Sequence, residues 1–166
     1  MVQFDPNRPD FSPYGLTCVR WNPSPMRRPD HHNEIELNML GSGWLTYLLG
    51  GRKVRIGAGH LSIFWAAIPH QIIDFGAETE YFVATIPFAS FLQCRLPENL
   101  VRPLLRGEVL SEPEPGRAQS DAELFARWSQ DLHEPRESLR GIVMLEMEAR
   151  LRRLSVARRP RRSPKG

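Results

Sequence analysis

Residues 34–59 of the chain read EIELNMLGSGWLTYLLGGRKVRIGAG, in which short apolar-rich segments alternate with glycine turns. The Gly50-Gly51 pair can supply the positive φ angles that a two-residue hairpin turn needs. The same pattern continues on both sides of this stretch. It predicts strands at residues 16–21, 34–40, 44–49, 52–56, 61–65, 71–75 and 80–86. Short strands with turn signals at this spacing are typical of a β-sandwich or β-barrel.

The pattern changes from strands to helices after Pro87. The predicted helices cover residues 88–94, 98–106 and 121–132 and a longer stretch that begins near residue 134. Ser120 is the predicted N-cap of the third helix, with Glu123 as its capping-box partner. Residues 111–116, SEPEPG, are predicted to be a linker. The fold class that follows is mainly β, a sandwich or barrel followed by C-terminal α-helices.

The two ends of the chain differ in composition from its middle. Residues 1–29 contain six prolines, which deny helix and interrupt sheet ladders, so an extended arm is predicted there. Residues 158–166 are basic and lack apolar periodicity, which predicts a disordered tail. Between these ends we expect a barrel with short helices at 30–110 and a helical segment at 119–157. The bias of the tail also suits out-of-frame translation, so a chain truncated by a frameshift and a genuine standalone protein are both open.

Composition and charge limit the possible partners of the chain. Its 166 residues are 41% hydrophobic and 25% charged, which is typical of one globular domain. The formal net charge is +3, but residues 150–166 hold eight of the 22 Lys and Arg residues. The rest of the chain therefore has 14 bases against 19 acids. Such an acidic body is a poor match for nucleic acid.

Several classes of protein lack support because their motifs are missing. No apolar run approaches the roughly 20 residues of a membrane span, and the N-terminus has no signal-peptide pattern. Cys18 and Cys94 form no CxxC motif, which favours a reducing compartment. Phosphate-binding glycine motifs and a nucleophile elbow are also missing, so nucleotide binding and covalent catalysis have no support. We expect a cytoplasmic protein with no membrane partner.

An apolar stripe follows the last predicted helix. Its residues recur at spacings of three and four and are Leu139, Val143, Met147, Leu151 and Leu154. Such a stripe can pack against the chain's own barrel or form a dimer seam. We take these residues as the candidate dimer interface of a homodimer, with packing against the barrel as the alternative.

A row of polar residues marks the candidate functional site. In a strand at residues 34–40, Glu34, Glu36 and Asn38 point to one face, because side chains alternate along a strand. Asp30 and His32 extend this face by the same period of two. His70 follows the turn after the strand at 61–65 and can reach the same mouth of a barrel. The row therefore predicts a polar site in the barrel lumen.

These residues resemble known motifs. The pattern Asp30-x-His32-x3-Glu36-x6-Gly43 resembles the first cupin motif, and Gly59 followed by His70 resembles the second. More specifically, HHNEIELNMLGSGWLTYLLGGRKV and LSIFWAAIPHQIIDF resemble the sensor domain of AraC/XylS-type transcription regulators, especially the melibiose-regulator branch. The similarity covers about residues 30–155. The sequence departs from the cupin motifs at Asp30, which stands where metal cupins have a histidine, and at Trp65 and Ala67.

The resemblance implies a mainly β fold, a cupin-like (jelly-roll) β-barrel followed by C-terminal α-helices. The same resemblance implies a non-catalytic domain that senses a small molecule, with a sugar as the expected effector, and that dimerises through its helices. It also implies that the arm folds over the effector. The family's DNA-binding part is a C-terminal pair of helix-turn-helix units, and only nine residues follow Ala157. We therefore expect no sequence-specific DNA binding by this chain alone.

Candidate site residues combine polar groups with aromatic rings that could stack on a sugar. The candidate ligand-binding residues are His32, Glu36, Asn38, Trp44, Tyr47, Trp65 and His70. No cofactor is expected, although a divalent metal is an alternative. Its candidate ligands are Asp30, His32, Glu36 and His70. The alternative function is a standalone metal-dependent cupin enzyme, a sugar isomerase or dioxygenase, and a purely structural polar row is a third reading.

Three other histidines are weaker candidates. His31 has the wrong strand parity for the polar row, and His60 lies in a glycine turn, so both are predicted to be exposed. His133 lies between two predicted helices and is expected to act as a C-cap.

Overall fold

The computed structural model describes residues 2–159, which contain eight β-strands and four α-helices. The strands are β1 (Thr17–Trp21), β2 (Glu34–Ser42), β3 (Trp44–Leu49), β4 (Arg52–Gly57), β5 (Ser62–Trp65), β6 (His70–Phe75), β7 (Glu80–Pro87) and β8 (Leu110–Ser111). The helices are α1 (Phe88–Gln93), α2 (Glu98–Leu105), α3 (Ala118–His133) and α4 (Glu137–Ala157).

The strands form two antiparallel sheets. One has five strands in the order β1-β7-β2-β5-β8, and the other has three in the order β4-β3-β6. β3 and β4 form a hairpin in which Gly50 and Gly51 have φ angles of 53° and 82°, as the two-residue turn requires. The predicted fold class is confirmed: a cupin-like, mainly β structure with helices at its C-terminal end.

Two hydrophobic cores lie on opposite faces of the five-stranded sheet. The first core lies between the two sheets and contains side chains from both, including Tyr47 and Phe64. The second lies between the five-stranded sheet and the helices. Strand β2 contributes Ile35, Leu37 and Met39 to this second core. Because side chains alternate, the intervening polar residues of β2 face the space between the sheets.

The apolar stripe on α4 belongs to the second core. Val143, Met147, Leu151 and Leu154 are fully buried within the chain, and Leu139 is half-buried. A partner chain cannot contact the four side chains that are already enclosed, so the structure contradicts their assignment as a dimer interface. They lie in the chain's own second core, where α4 packs on α3 and α2. The residues of α4 that expose large apolar side chains are Ile142, Leu145 and Val156.

A buried ion cluster ties the two long helices to the barrel. Arg150 on α4 donates from Nε and Nη2 to both oxygens of Asp121 on α3, at 2.7 and 2.9 Å. It also donates from Nη2 to Oε2 of Glu112, just after β8, at 2.6 Å. All three side chains are at most 4% exposed. One guanidinium thus joins three parts of the fold that are distant in sequence.

Local details of the helical part differ from the sequence predictions. Helix α3 begins earlier than expected, with Arg117 as N-cap, and the Ser120 hydroxyl donates to the Arg117 carbonyl instead of capping the helix. His133, the predicted C-cap, is instead the last helical residue of α3. The C-cap is Glu134. Strand β8 occupies the start of the predicted linker at 111–116.

Other predictions concern exposure and the end of the chain. His60 is exposed as predicted, whereas His31 is half-buried because its ring packs on Phe11. Residues 160–166, most of the tail predicted to be disordered, lie outside the described residues. No helix in the described part is both long and apolar enough to cross a bilayer.

Candidate functional site

The polar row converges at one end of the space between the sheets. Asp30 and His70 form an antiparallel bridge, in which the N–H of each donates to the carbonyl of the other at 2.8 and 2.9 Å. The N–H of His32 donates to the carbonyl of Ala66 at 2.9 Å. These backbone bonds bring the two histidines next to Glu36 on β2. The sequence prediction that His70 reaches the mouth of the polar row is consistent with this arrangement.

Three side chains form the centre of this cluster. His32 donates from Nδ1 to Oε2 of Glu34 at 2.8 Å, and its Nε2 lies 3.3 Å from Oε2 of Glu36. His70 donates from Nδ1 to the carbonyl of Ile68 at 2.9 Å, and its Nε2 lies 3.6 Å from the same Glu36 oxygen. Both imidazoles therefore direct Nε2 at one carboxylate oxygen.

Burial and mutual contacts set the charges of the cluster. Burial disfavours a charge on His32, but hydrogen bonds to Glu34 and Glu36 outweigh burial and raise its pKa to about 9. Burial opposes ionisation of Glu34 and Glu36 as well, yet their contacts with His32 lower the pKa of both carboxyls. Burial lowers the pKa of His70, which is neutral at pH 7. In the absence of other ligands, an imidazolium thus bridges two carboxylates.

A chain of hydrogen bonds continues from Glu36 into the barrel. Asn38 donates from Nδ2 to Oε1 of Glu36 at 3.3 Å, and the Tyr47 hydroxyl donates to Oδ1 of Asn38 at 3.0 Å. The buried hydroxyl of Tyr81 lies near Tyr47 but makes no hydrogen bond of good geometry to a described residue. Burial raises the pKa of Tyr47 and Tyr81, so both phenols are neutral.

The N-terminal arm covers this cluster. The N–H groups of Tyr14 and Gly15 donate to Oε1 of Glu34 at 2.6 and 3.0 Å. Arg8 forms an ion pair with Asp30 at 3.0 Å, and the Tyr14 hydroxyl donates to Asp30 at 3.1 Å. The Arg8 guanidinium also stacks on the Tyr14 ring, 3.7 Å from its centre. Two carboxylates of the cluster thus hold the arm in place.

A cavity of about 130 Å³, partly open to solvent, lies between the arm and the two sheets. Its lining is mainly apolar, with polar groups interspersed. The lining residues are Val2, Phe4, Tyr14, Thr17, Val19, Trp21, Met26, Asp30, Glu36, Tyr47, His70, Ile72, Tyr81, Val83 and Thr85. An apolar concave site with a few polar groups is the usual composition of a small-molecule site.

The structure separates the predicted ligand-binding residues into three groups. Glu36, Tyr47 and His70 line the cavity. His32 and Asn38 lie behind this lining, and both contact Glu36. The structure does not place Trp44 and Trp65 at the predicted ligand site, because neither ring lines the cavity. Trp44 packs under the Arg55 guanidinium, 3.9 Å away, and Trp65 stacks on Phe88 with ring centres 5.1 Å apart.

Several residues of the cavity were not predicted from the sequence. Three of them, Tyr81, Val83 and Thr85, are alternate residues of β7. Side-chain alternation along the predicted strand would have placed all three on one face. Thr17, Val19 and Trp21 are likewise alternate residues of β1. Tyr14 belongs to the arm, where irregular backbone gives no periodicity from which a facing direction can be read.

The donor set is compatible with a divalent metal ion. Asp30, His32 and His70 offer ligand atoms that lie within 4.8 Å of one another, and Glu36 lies between the two histidines. Imidazole and carboxylate donors suit zinc, iron and manganese. The two oxygens of Asp30 are already engaged by Arg8 and Tyr14, which leaves His32, Glu36 and His70 as the better ligands.

Comparison with known proteins gives both a sequence relative and a structural one. The chain is 30% identical over 126 residues to the melibiose operon regulatory protein of Escherichia coli strain K12, and the same values hold for strain CFT073. The match covers 76% of this chain and 41% of the relative, so the chain spans about two fifths of the relatives' length. No family model matches the sequence.

A solved structure supports the fold. The AraC-like transcriptional activator CuxR superposes with a TM-score of 0.53 at 13% identity, over 81% of this chain and 46% of that one. The fold thus defines a cupin-like domain. The sequence relationship then identifies the chain as an effector-binding domain of the AraC type.

Proposed function

We propose that the chain is a non-catalytic sensing domain that binds a sugar in the cavity beneath its arm and acts in the cytoplasm as part of an AraC-type transcription regulator. The observation that carries this proposal is the cavity, which the buried Tyr81 side chain lines and in which its hydroxyl makes no hydrogen bond of good geometry to a described residue. A buried polar group without a partner is costly, and a ligand that hydrogen-bonds to it removes that cost.

The polar groups of the cavity favour a neutral, hydroxyl-rich ligand. Glu36 is ionised, so it accepts hydrogen bonds from hydroxyl groups and repels a carboxylate. The Tyr81 hydroxyl can donate to an oxygen of the same ligand. Trp21, which lines the cavity, offers the ring on which the apolar face of a sugar can stack, in the place expected for Trp44 and Trp65.

The arm is the element whose position an effector would change. The cavity of about 130 Å³ is smaller than the roughly 300–1,000 Å³ of common ligand sites, so a sugar needs the arm to move outward or to repack around it. Tyr14 both lines the cavity and holds Asp30. An effector that contacts Tyr14 therefore has different affinities for different positions of the arm. A ligand shifts a conformational equilibrium only when its affinities for the conformations differ.

A thermal-shift experiment with a panel of neutral sugars tests sensing. We expect at least one sugar to raise the melting temperature, because a ligand that binds only the native state stabilises it. The Tyr81→Phe variant removes only the unpartnered hydroxyl, so it should weaken sugar binding by about two- to tenfold, the equivalent of one hydrogen bond.

The matched control is Trp44→Phe, which changes an aromatic side chain outside the cavity. It should leave the sugar-induced shift unchanged. The proposal fails if no sugar raises the melting temperature, or if the two variants alter the shift equally.

We also propose that the chain forms a homodimer through the outer face of α4. Ile142, Leu145 and Val156 expose 47%, 68% and 65% of their surface, and they lie at spacings that place them on one helix face. Two such helices can bury these residues against each other. The proposed dimer interface therefore consists of residues other than those of the buried stripe.

Analytical ultracentrifugation of the Leu145→Glu variant tests this dimer. A glutamate at the centre of the exposed face should raise the dimer dissociation constant at least about tenfold, since a charge buried without a partner is costly. Leu105→Glu, on α2, is the control, because Leu105 is exposed but lies off this face. A wild-type chain that sediments as a monomer at high concentration, or a variant as dimeric as the wild type, contradicts the proposal.

A further inference from the structure

We propose that the C-terminal end of α4 binds the phosphate backbone of nucleic acid without reading its sequence. The contact surface is an open groove where the last turns of α4 meet the residues that lead into α3. This arginine groove is lined by Glu114, Arg117, Arg152, Arg153, Val156, Ala157 and Arg159. It shares no residue with the cavity beneath the arm, so the proposal does not rest on sugar sensing.

The packing of α3 against α4 holds the arginines of the groove in one place. Arg150 on α4 donates to Asp121 on α3 at 2.7 Å, and Arg127 on α3 donates to Glu146 on α4 at 2.8 Å. These two pairs show that the helices run antiparallel. Arg117, the N-cap of α3, therefore lies beside the last turns of α4. The groove is thus built from two segments that are distant in sequence and joined by a buried ion pair.

Three of the four guanidinium groups in the groove are available to an anion. Nε of Arg117 lies 3.9 Å from Oε2 of Glu112, beyond hydrogen-bond distance, and that oxygen already accepts from Arg150 at 2.6 Å. Arg153 and Arg159 form no ion pair with a described residue. The fourth guanidinium is paired with a carboxylate at 3.0 Å. Three groups can therefore bind phosphate without breaking a close ion pair.

The distribution of charge along the chain directs a polyanion to this end of the molecule. Residues 150–166 hold eight Lys and Arg residues and no acidic residue. The rest of the chain has 14 bases against 19 acids, so it carries net negative charge. A negative body repels a polyanion and a basic end attracts it, so both effects favour contact at the C-terminal end.

The composition of the groove favours nucleic acid over other acidic partners. Guanidinium groups bind phosphate through paired hydrogen bonds, and nucleic acid presents phosphates at regular spacing. A protein interface needs an apolar centre, and a membrane-binding surface needs large apolar side chains that enter the lipid. The groove offers only Val156 and Ala157 for either purpose. A phosphate backbone therefore fits this surface better than an acidic protein or a lipid bilayer does.

Binding to duplex DNA tests the proposal on the full chain. A fluorescently labelled duplex of about 20 base pairs is titrated at KCl concentrations from about 50 to 200 mM, with anisotropy as the readout. We expect micromolar affinity at the lowest salt concentration. A second duplex of scrambled sequence should bind equally well, because contacts to phosphates carry no sequence information. The logarithm of the association constant should fall with the logarithm of the salt concentration with a slope of about −2.7 or steeper, since each of three phosphate contacts contributes about −0.9.

A triple variant removes the three available guanidinium groups through Arg117→Gln, Arg153→Gln and Arg159→Gln. It should weaken duplex binding at least about tenfold at the lowest salt concentration, and the salt slope should become shallower by about 2.7. Thermal melting checks that the variant remains folded.

The matched control removes three exposed arginines that pair with carboxylates outside the groove, through Arg20→Gln, Arg102→Gln and Arg136→Gln. Both triple variants lose three positive charges and so have the same formal net charge. A difference between them therefore reports where the charge lies. Because salt screens distant charges, the control should bind the duplex within about threefold of the wild type.

The inference is overturned if the wild-type chain does not bind the duplex at the lowest salt concentration. It is also overturned if the two triple variants weaken binding equally, since net charge alone would then explain the affinity. A preference for one of the two duplex sequences would show base reading and contradict contact with the backbone alone.

Three further outcomes would place the contact elsewhere and overturn the inference. The first is a loss of binding only in the variant Arg161→Gln, Arg162→Gln, Lys165→Gln, with the groove variant unchanged. The second is binding to phosphatidylglycerol vesicles but not to the duplex. The third is a groove variant that dissociates a wild-type dimer in sedimentation and still binds the duplex, which would assign the groove to contact between two copies of the chain.

Discussion

Replacement of Arg150 by methionine should lower the free energy of unfolding by about 3–5 kcal/mol, measured by urea denaturation. Arg150 holds Asp121 and Glu112 in a region where all three side chains are at most 4% exposed. The substitution keeps the apolar stem but leaves the buried Asp121 without a cation and Glu112 with only Arg117, whose Nε lies 3.9 Å away. The loss of stability therefore comes more from uncompensated buried charge than from lost packing.

Arg127→Met is the control for this prediction. Arg127 pairs with Glu146 at 2.8 Å, but its side chain is 56% exposed. An exposed ion pair contributes about 0.2–1 kcal/mol, so the free energy of unfolding of this variant should be close to that of the wild type. Replacing Arg150, Asp121 and Glu112 together with apolar residues should recover much of the loss. Equal effects of the two arginine substitutions would show that the cluster does not hold the helices to the barrel.

The Met147→Ala substitution should destabilise the chain by about 2–5 kcal/mol, because it opens a cavity in the core that the helices share with the five-stranded sheet. Leu145→Ala, two residues away, should change the free energy of unfolding by less than about 0.5 kcal/mol, since Leu145 is 68% exposed. Urea denaturation at a protein concentration that keeps the chain monomeric measures both. Similar losses for the two variants would contradict the burial of the stripe in the chain's own core.

The strands could be predicted because their boundaries are marked in the sequence. Glycine turns separate them, and strand β2 alternates polar and apolar residues along its length, which identified both its type and the face of Glu36. Strand β8 could not be predicted in this way, because two residues are too few to show a period. Its position is set by pairing with β5.

The limits of sequence reasoning are clearest at α4 and at the aromatic residues. The stripe at Val143 and Met147 identified the buried face of α4, but periodicity does not tell whether the covering surface belongs to the same chain. Likewise, alternation placed Trp44 and Trp65 on strands without showing which sheet face encloses a cavity. The arm contacts depend on residues such as Tyr14 and Glu34, which are twenty positions apart and joined only by the fold.

Strand β2 has a consequence for how a signal can leave the cavity. Its residue Glu36 lines the cavity, while the residues on either side of Glu36, Ile35 and Leu37, pack on the opposite side in the core that includes Trp128 of α3. At β2, the surface that lines the cavity and the surface that supports the helices are therefore the two faces of one sheet. A ligand that displaces the sheet at this point shifts the base on which α3 rests directly, and no chain of intermediate residues is needed to relay the movement.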